Sequence, residues 1–236
     1  MGKDGLTQTL INIFTSPMDA FRSLKSKPRT LFPLLLLIAC NVGMTLVYMR
    51  SVDIPWLLET QMQTSAAQLT DDQRRQAIER ISKVSPTLIT TVSGVQAAVV
   101  MLILLFLPAA YLAIVSMLTN DGYKLSRWFA LVCWCSLPLL LGVLASLVNV
   151  LAGDASHLAP EKLNPLSFSN LFEVATPPRN VADRVLHSIG VTSVWSLALL
   201  VFGYQAWTER SLAKSAGIVL APMIVLFAII LFFTLR

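Results

Sequence analysis

The chain has 236 residues, 55% of them apolar and only 13% charged, with a mean hydropathy of +0.68. A soluble domain carries about a quarter charged residues, so this balance excludes an ordinary soluble globule and points to a bilayer. The net charge of +5 would hint at nucleic acid in a soluble protein; here it reads as a topology signal, because loop Lys and Arg orient membrane helices.

The first thirty residues form an amphipathic tail. In "LTQTLINIFTSPMDAFRSLKSKP", Leu6, Leu10, Ile13, Phe14, Pro17, Phe21 and Leu24 fall on one helical stripe. Ser16 is placed to cap a second helix, with Pro17 at its first position and Asp19 in its positive first turn. Two short helices are therefore predicted. One placement lays them in the cytoplasmic interface, with Arg22, Lys25, Lys27 and Arg29 facing anionic head groups. The other packs them on the inner ends of the spans.

Five uncharged runs follow, at residues 31–49, 95–118, 128–152, 188–207 and 216–235. About 20 apolar residues cross ~30 Å of hydrocarbon as a helix, so each run is long enough to be a span. The first begins too late, and runs too long, for a cleavable signal, and is expected to stay as an anchor. The fold class is thus an all-α polytopic membrane protein: five transmembrane helices, an N-terminal amphipathic interfacial helix pair and a helical first external loop.

That loop, 51–86, has Pro55 opening one helical segment and "TDDQ" at Thr70–Gln73 resembling a capping box. Ala77, Ile78, Ile81 and Val84 give the second segment a narrow apolar edge. Asn120-Asp121-Gly122 is a tight-turn signal between the second and third spans. The second external loop, 153–184, holds Pro160, Pro165, Pro177 and Pro178; it is expected to be irregular, with a short turn near "NPLSFSNLF".

Five spans put the termini on opposite sides. One side carries the tail and the 119–127 and 208–215 loops, with nine Lys/Arg against four acids. The other carries the two long loops and Arg236, with nine of each. The short basic segments hug the membrane, which sets the N-terminus in the cytoplasm and the C-terminus outside.

"CWC", Cys133 to Cys135, lies inside the third span. Residues two apart on a helix point about 200° from each other, so these thiols cannot meet, and a thiolate is costly in hydrocarbon. They are packing. His157 and His187 have no second ligand at helical spacing, so no metal and no cofactor are expected, and no catalytic motif is present. None of the five runs contains an Asp, Glu, Lys, Arg or His. Ion-coupled carriers place such groups near the midplane, so their absence argues against coupled transport. What remains as a helix-packing or cleft candidate is Asn41, Asn149, the Ser188, Thr192 and Ser196 row, and the interior prolines Pro108 and Pro138.

"SPMDAFRSLKSKP", "LTDDQRRQAIE", "DGYKLSRWFALVCWCSLPLLLG", "LNPLSFSNLF" and "VWSLALLVFGYQAWTERSLAKSAGIVLAP" come in an order that resembles the Yip (Ypt-interacting protein) domain family, in its bacterial branch. The resemblance covers nearly the whole chain as a single Yip-like membrane domain. It implies a five-helix bundle with a cytoplasmic N-terminus. Eukaryotic relatives work with Rab-type GTPases through a long cytosolic region; the thirty residues here argue against that partner.

The function read from these features is that of a non-enzymatic, multi-pass protein of the bacterial inner membrane. It would act as an adaptor or organiser whose partner is another membrane protein, envelope-transport components included, or a second copy of itself. No nucleic-acid partner is expected. The candidate interaction surface is Asp121, Gly122, Tyr123, Lys124, Arg127, Trp207, Glu209, Arg210 and Lys214, with the tail residues Phe14, Phe21, Arg22, Lys25, Lys27 and Arg29. The alternative is permeation through a cleft between the proline-bearing helices.

Overall fold

A computed structural model describes residues 5–64, 70–173 and 181–234. Among these the chain is helical, with one isolated antiparallel bridge between Ser167 and Gly190. The helices are α1 (Leu6–Thr15), α2 (Pro17–Ser26), α3 (Leu31–Ser51), α4 (Ile54–Thr64), α5 (Asp71–Ser82), α6 (Pro86–Leu118), α7 (Leu125–Cys135), α8 (Leu139–Ala152), α9 (Phe168–Leu171), α10 (Val181–Ser188), α11 (Val191–Thr208) and α12 (Leu212–Thr234). Pro177, Pro178, Leu235 and Arg236 lie outside the described residues.

Three helices are long and apolar enough to cross a bilayer alone: α3, α6 and α12. A fourth crossing can be made by α7 and α8 together, bent by 44°. The expected third span is therefore two helices rather than one. Pro138 lies buried at the break, where its missing N–H and ring disfavour a continuous helix. Pro108 and Pro222, by contrast, lie inside unbroken helices.

The α6 helix starts at Pro86, nine residues before the uncharged run. Its 33 residues span about 50 Å, more than the hydrocarbon requires. Pro86 fits a first helical position, and Thr90 and Thr91 return their hydroxyl protons to the carbonyls of Pro86 and Thr87 at 2.9 and 2.8 Å. The polar threonines thus sit in the helix without orphaned donors.

The run 188–207 is also interrupted. Val191 N donates to Leu166 O (3.1 Å) and Phe168 N to Ile189 O (2.9 Å), so α10 ends at Ser188 and α11 starts at Val191. Ser188 is exposed on α10, while Thr192 and Ser196 are buried on α11. The three-residue row is therefore split between two helices. α11 is shorter than α3, α6 and α12, and nine of its 18 residues are buried. A helix enclosed by protein has no need of an apolar perimeter.

The chain divides into two compact units. Unit 1 contains Met1–Leu37, Met101–Leu139 and Thr192–Arg236. Its core holds Trp128, Trp134, Tyr204, Trp207, Leu131, Leu137 and Leu105, with Ile13 and Phe21 contributed by the tail. Cys133 and Cys135 are free thiols buried within it.

Unit 2 contains Ile38–Val100 and Leu140–Val191. Tyr48, Val52, Leu57, Val150 and Ala155 form its core cluster. Thr70 and Gln73 close the predicted capping box at the start of α5, and Ala77, Ile78, Ile81 and Val84 are half-buried. Within the loop expected to be irregular, residues 161–170 are more tied than the nearby prolines suggest. Asn149 Nδ2 donates to Lys162 O and Leu163 O at 2.9 and 3.1 Å, and Asn170 Nδ2 to Glu161 O and Asn164 O at 3.0 and 2.8 Å.

The bridge at Gly190 leaves no room for a side chain. A Cβ there would lie 2.4 Å from Leu166 O, whereas one at Gly43 meets nothing within 4 Å. Gly190→Ala is expected to lower the unfolding temperature of the detergent-solubilised protein, through a clash costing on the order of 1–3 kcal/mol. Gly43→Ala should leave it unchanged; scanning fluorimetry reads both. Maleimide labelling followed by intact mass should find Cys133 and Cys135 unreactive until the protein is unfolded.

Candidate functional site

The residues singled out on the tail and the two short loops meet in unit 1. α6 ends at Leu118, and the chain turns through Asn120 (φ 55°) and Gly122 (φ 73°). Two contacts to Ser116 fix this turn: Asp121 N donates to its carbonyl at 3.1 Å, and Tyr123 N to its hydroxyl at 3.3 Å. Thr119 Oγ1 donates to Asp121 Oδ2 at 2.6 Å. The other carboxylate oxygen, Oδ1, accepts from Arg210 Nη2 at 2.8 Å, in a pair whose side chains are 24% and 11% exposed. Asp121 thereby joins one loop to the other.

The second loop leaves α11 through Glu209, at φ 58°. Glycine usually takes this position, because a Cβ is disfavoured there. Here the side chain has a partner: Glu209 Oε1 accepts from Lys25 Nζ of the tail at 2.8 Å. The hydrogen bond holds the Glu209 carboxyl below the usual carboxylate range and lifts Lys25 above the usual lysine range.

Beneath the loops lies an aromatic cluster. Trp128 stacks on Tyr204 (centroids 5.4 Å apart, planes 19°) and touches Trp207 (5.6 Å) and Tyr123 (5.4 Å). Tyr123 also meets Trp207 at 5.6 Å and donates its hydroxyl to Trp207 O at 2.9 Å. The Arg127 guanidinium sits 5.7 Å over the Tyr123 ring, within cation–π range.

Two indoles fasten the tail. Trp207 Nε1 donates to Phe21 O at 2.9 Å, and Trp134 Nε1 to Arg29 O at 2.7 Å. Ile13 and Phe21 are fully buried and Leu24 nearly so; Phe14 remains partly exposed, edge-on to Trp195 at 5.4 Å. Ile13, Phe21 and Leu24 thus pack within unit 1, while Arg22, Lys27 and Arg29 stay exposed.

Trp207 was expected among the exposed contact residues. It is 2% exposed and supports the surface from below, its N–H spent on the tail. Trp128, Trp134 and Tyr204 escaped the sequence reading because in an apolar run an aromatic holding a loop looks like any core residue. Of the cleft candidates, Asn41, Asn149 and Ser188 fall in unit 2, and Pro108, Pro138, Thr192 and Ser196 in unit 1. Asn149 is committed to loop carbonyls, and Ser196 Oγ is buried without a hydrogen-bond partner. Among the described residues no three His, Cys, Asp or Glu side chains gather into a metal site.

Trp207→Phe keeps an aromatic ring but removes its N–H, and should weaken tail docking by about 1 kcal/mol. Limited proteolysis should then cut within 16–30 faster than in the parent. The Lys25–Glu209 pair adds a pH dependence with two limits. Its contribution is full between the two ordinary ranges, is lost as pH falls through the lowered Glu209 value, and is lost again as pH rises through the raised Lys25 value. Lys25→Met should flatten both limbs of a tail-protection profile measured against pH.

No curated protein and no solved structure matches the chain. The Yip1 domain family does, over residues 11–234. With its apolar, multi-pass helices, the chain is a membrane protein that belongs to the Yip1 domain family.

Proposed function

We propose that the chain is a non-enzymatic adaptor or organiser of the bacterial inner membrane, meeting a membrane-protein partner at the face formed by the tail and the 119–127 and 208–215 loops. The observation that carries this reading is the charge arrangement on a fixed frame. The described part of unit 1 holds eight Lys/Arg (residues 22, 25, 27, 29, 124, 127, 210 and 214) and three carboxylates (19, 121 and 209). All three carboxylates are already paired, with Arg22, Arg210 and Lys25. Lys27, Arg29, Lys124, Arg127 and Lys214 are exposed and form no ion pair among the described residues. A rigid, uncompensated cationic face suits an acidic loop of a partner and the anionic head groups around it.

The same contacts support five spans. The tail touches the 207–210 segment through Phe21–Trp207 and Lys25–Glu209, and that segment touches the 119–123 turn through Asp121–Arg210 and Tyr123–Trp207. Segments at one end of a bundle are separated by an even number of crossings. α3 and α6 make the first two, so if α7 and α8 cross as one bent span, α11 must cross back. α12 is then the fifth, which sets the C-terminus opposite the tail. The excess of Lys and Arg over acids at the tail end supports a cytoplasmic side for it.

Photo-cross-linkers at Lys124 and Lys214, in native membranes, should each trap the same discrete protein. Charge reversal at Lys27 and Arg127 should reduce that adduct without lowering the amount of inserted protein. Smeared or absent adducts at both positions, in membranes where the chain is folded, would count against the reading. The permeation alternative is tested separately in proteoliposomes, where no flux of ions or small polar solutes above empty vesicles is expected.

A further inference from the structure

A groove of about 950 Å³ opens within unit 2 along α3 and the first turns of α6. Its lining is mostly apolar, with Leu46, Val95 and Ala98 among the residues. Gly94 brings α3 and α6 close, for a Cβ there would lie 3.0 Å from Leu46 Cδ2. From Pro86 to Ala98 the wall follows the helix for about 18 Å, over half the hydrocarbon thickness. That length can accommodate part of one acyl chain.

The mouth has a different character. Arg50 and Asp53 both line it, and among the described residues neither forms an ion pair. Asp53 Oδ1 accepts from Trp56 N at 3.0 Å, capping α4, which leaves the carboxylate with further acceptor capacity. Thr90 and Thr91 also line the groove. Their protons are committed to backbone carbonyls, so they offer oxygen lone pairs. The mouth therefore presents a guanidinium donor fork beside a carboxylate and two neutral acceptors.

We propose that this groove binds one aminophospholipid of the ethanolamine class from the surrounding bilayer. Its phosphate meets Arg50, its ammonium donates to Asp53 and the threonine oxygens, and one acyl chain lies along Leu46, Gly94 and Ala98. Other head groups fit the mouth less well. A choline head has no N–H to donate, and a glycerol head brings a net negative charge past Asp53 without a cation to offset it. The site is separate from the partner face and does not depend on it.

The test uses the full chain in mild detergent with equimolar phosphatidylethanolamine, phosphatidylcholine and phosphatidylglycerol of identical acyl chains, bound lipid being counted by native mass spectrometry. One ethanolamine lipid per chain should be retained, in preference to each of the others by on the order of tenfold, the discrimination one charge-assisted hydrogen bond provides. Asp53→Asn keeps a capping side chain, since Asn serves that position as well as Asp, and should abolish the preference. Arg50→Gln should lower retention of all three lipids, and Gly94→Leu, which obstructs the floor, should remove the bound lipid. Should Gly94→Leu fail to fold, the two polar variants decide the matter. Equal retention of the three lipids, a preference for glycerol, or an ethanolamine preference that survives Asp53→Asn would overturn the proposal.

Discussion

The hydrogen bonds from the Trp207 and Trp134 indoles to the backbone of the tail govern how unit 1 is arranged. A buried N–H without a partner costs about 1–3 kcal/mol, and more where no water can reach it. Both indoles are almost fully enclosed, so their donors need acceptors from within the protein. They find them at Phe21 O and Arg29 O. Arg29 lies in the link between α2 and α3, where a carbonyl is not committed to a helix. The tail is thereby built into unit 1, with Ile13 and Phe21 as its buried anchors.

Once the tail is fixed, the loop electrostatics follow. Lys25 is brought to Glu209, which keeps a left-handed backbone conformation that costs on the order of 1–3 kcal/mol. Arg210, next in the chain, is turned to the shielded carboxylate of Asp121. Glu209 and Asp121 are thus consumed in joining the three segments, Asp19 is paired within α2, and the remaining bases are exposed. Charge that would otherwise be balanced locally becomes a property of the face as a whole.

Much of this was legible in the sequence, and the reasons differ by element. The tail helices, the Asn120–Gly122 turn and the Thr70–Gln73 box depend on local chemistry carried by a few neighbouring residues. The break at Pro138 was signalled by the proline, but not whether the helix would kink or stop; that depends on what packs around it. The interruption at Gly190 was hidden, because the approach of Leu166 and Ser167 is a long-range contact and the hydrophobic run reads through it. The same limit explains the site. Asp121, Tyr123, Glu209 and Arg210 stood out as polar groups beside apolar runs, while Trp128, Trp134 and Tyr204 were indistinguishable from packing residues. Arg50 and Asp53 gained meaning only when the groove between α3 and α6 was visible.

The central claim is that the tail is a fixed part of unit 1 and not a mobile interfacial anchor. Paired spin labels at Arg22 and Lys214, both at exposed positions of unit 1, test it directly in lipid nanodiscs, in a chain with Cys40 replaced and the two buried thiols left in place. The account predicts one narrow distance distribution that broadens when Trp207 is changed to Phe. A broad distribution in the parent chain, unaffected by that substitution, would contradict it.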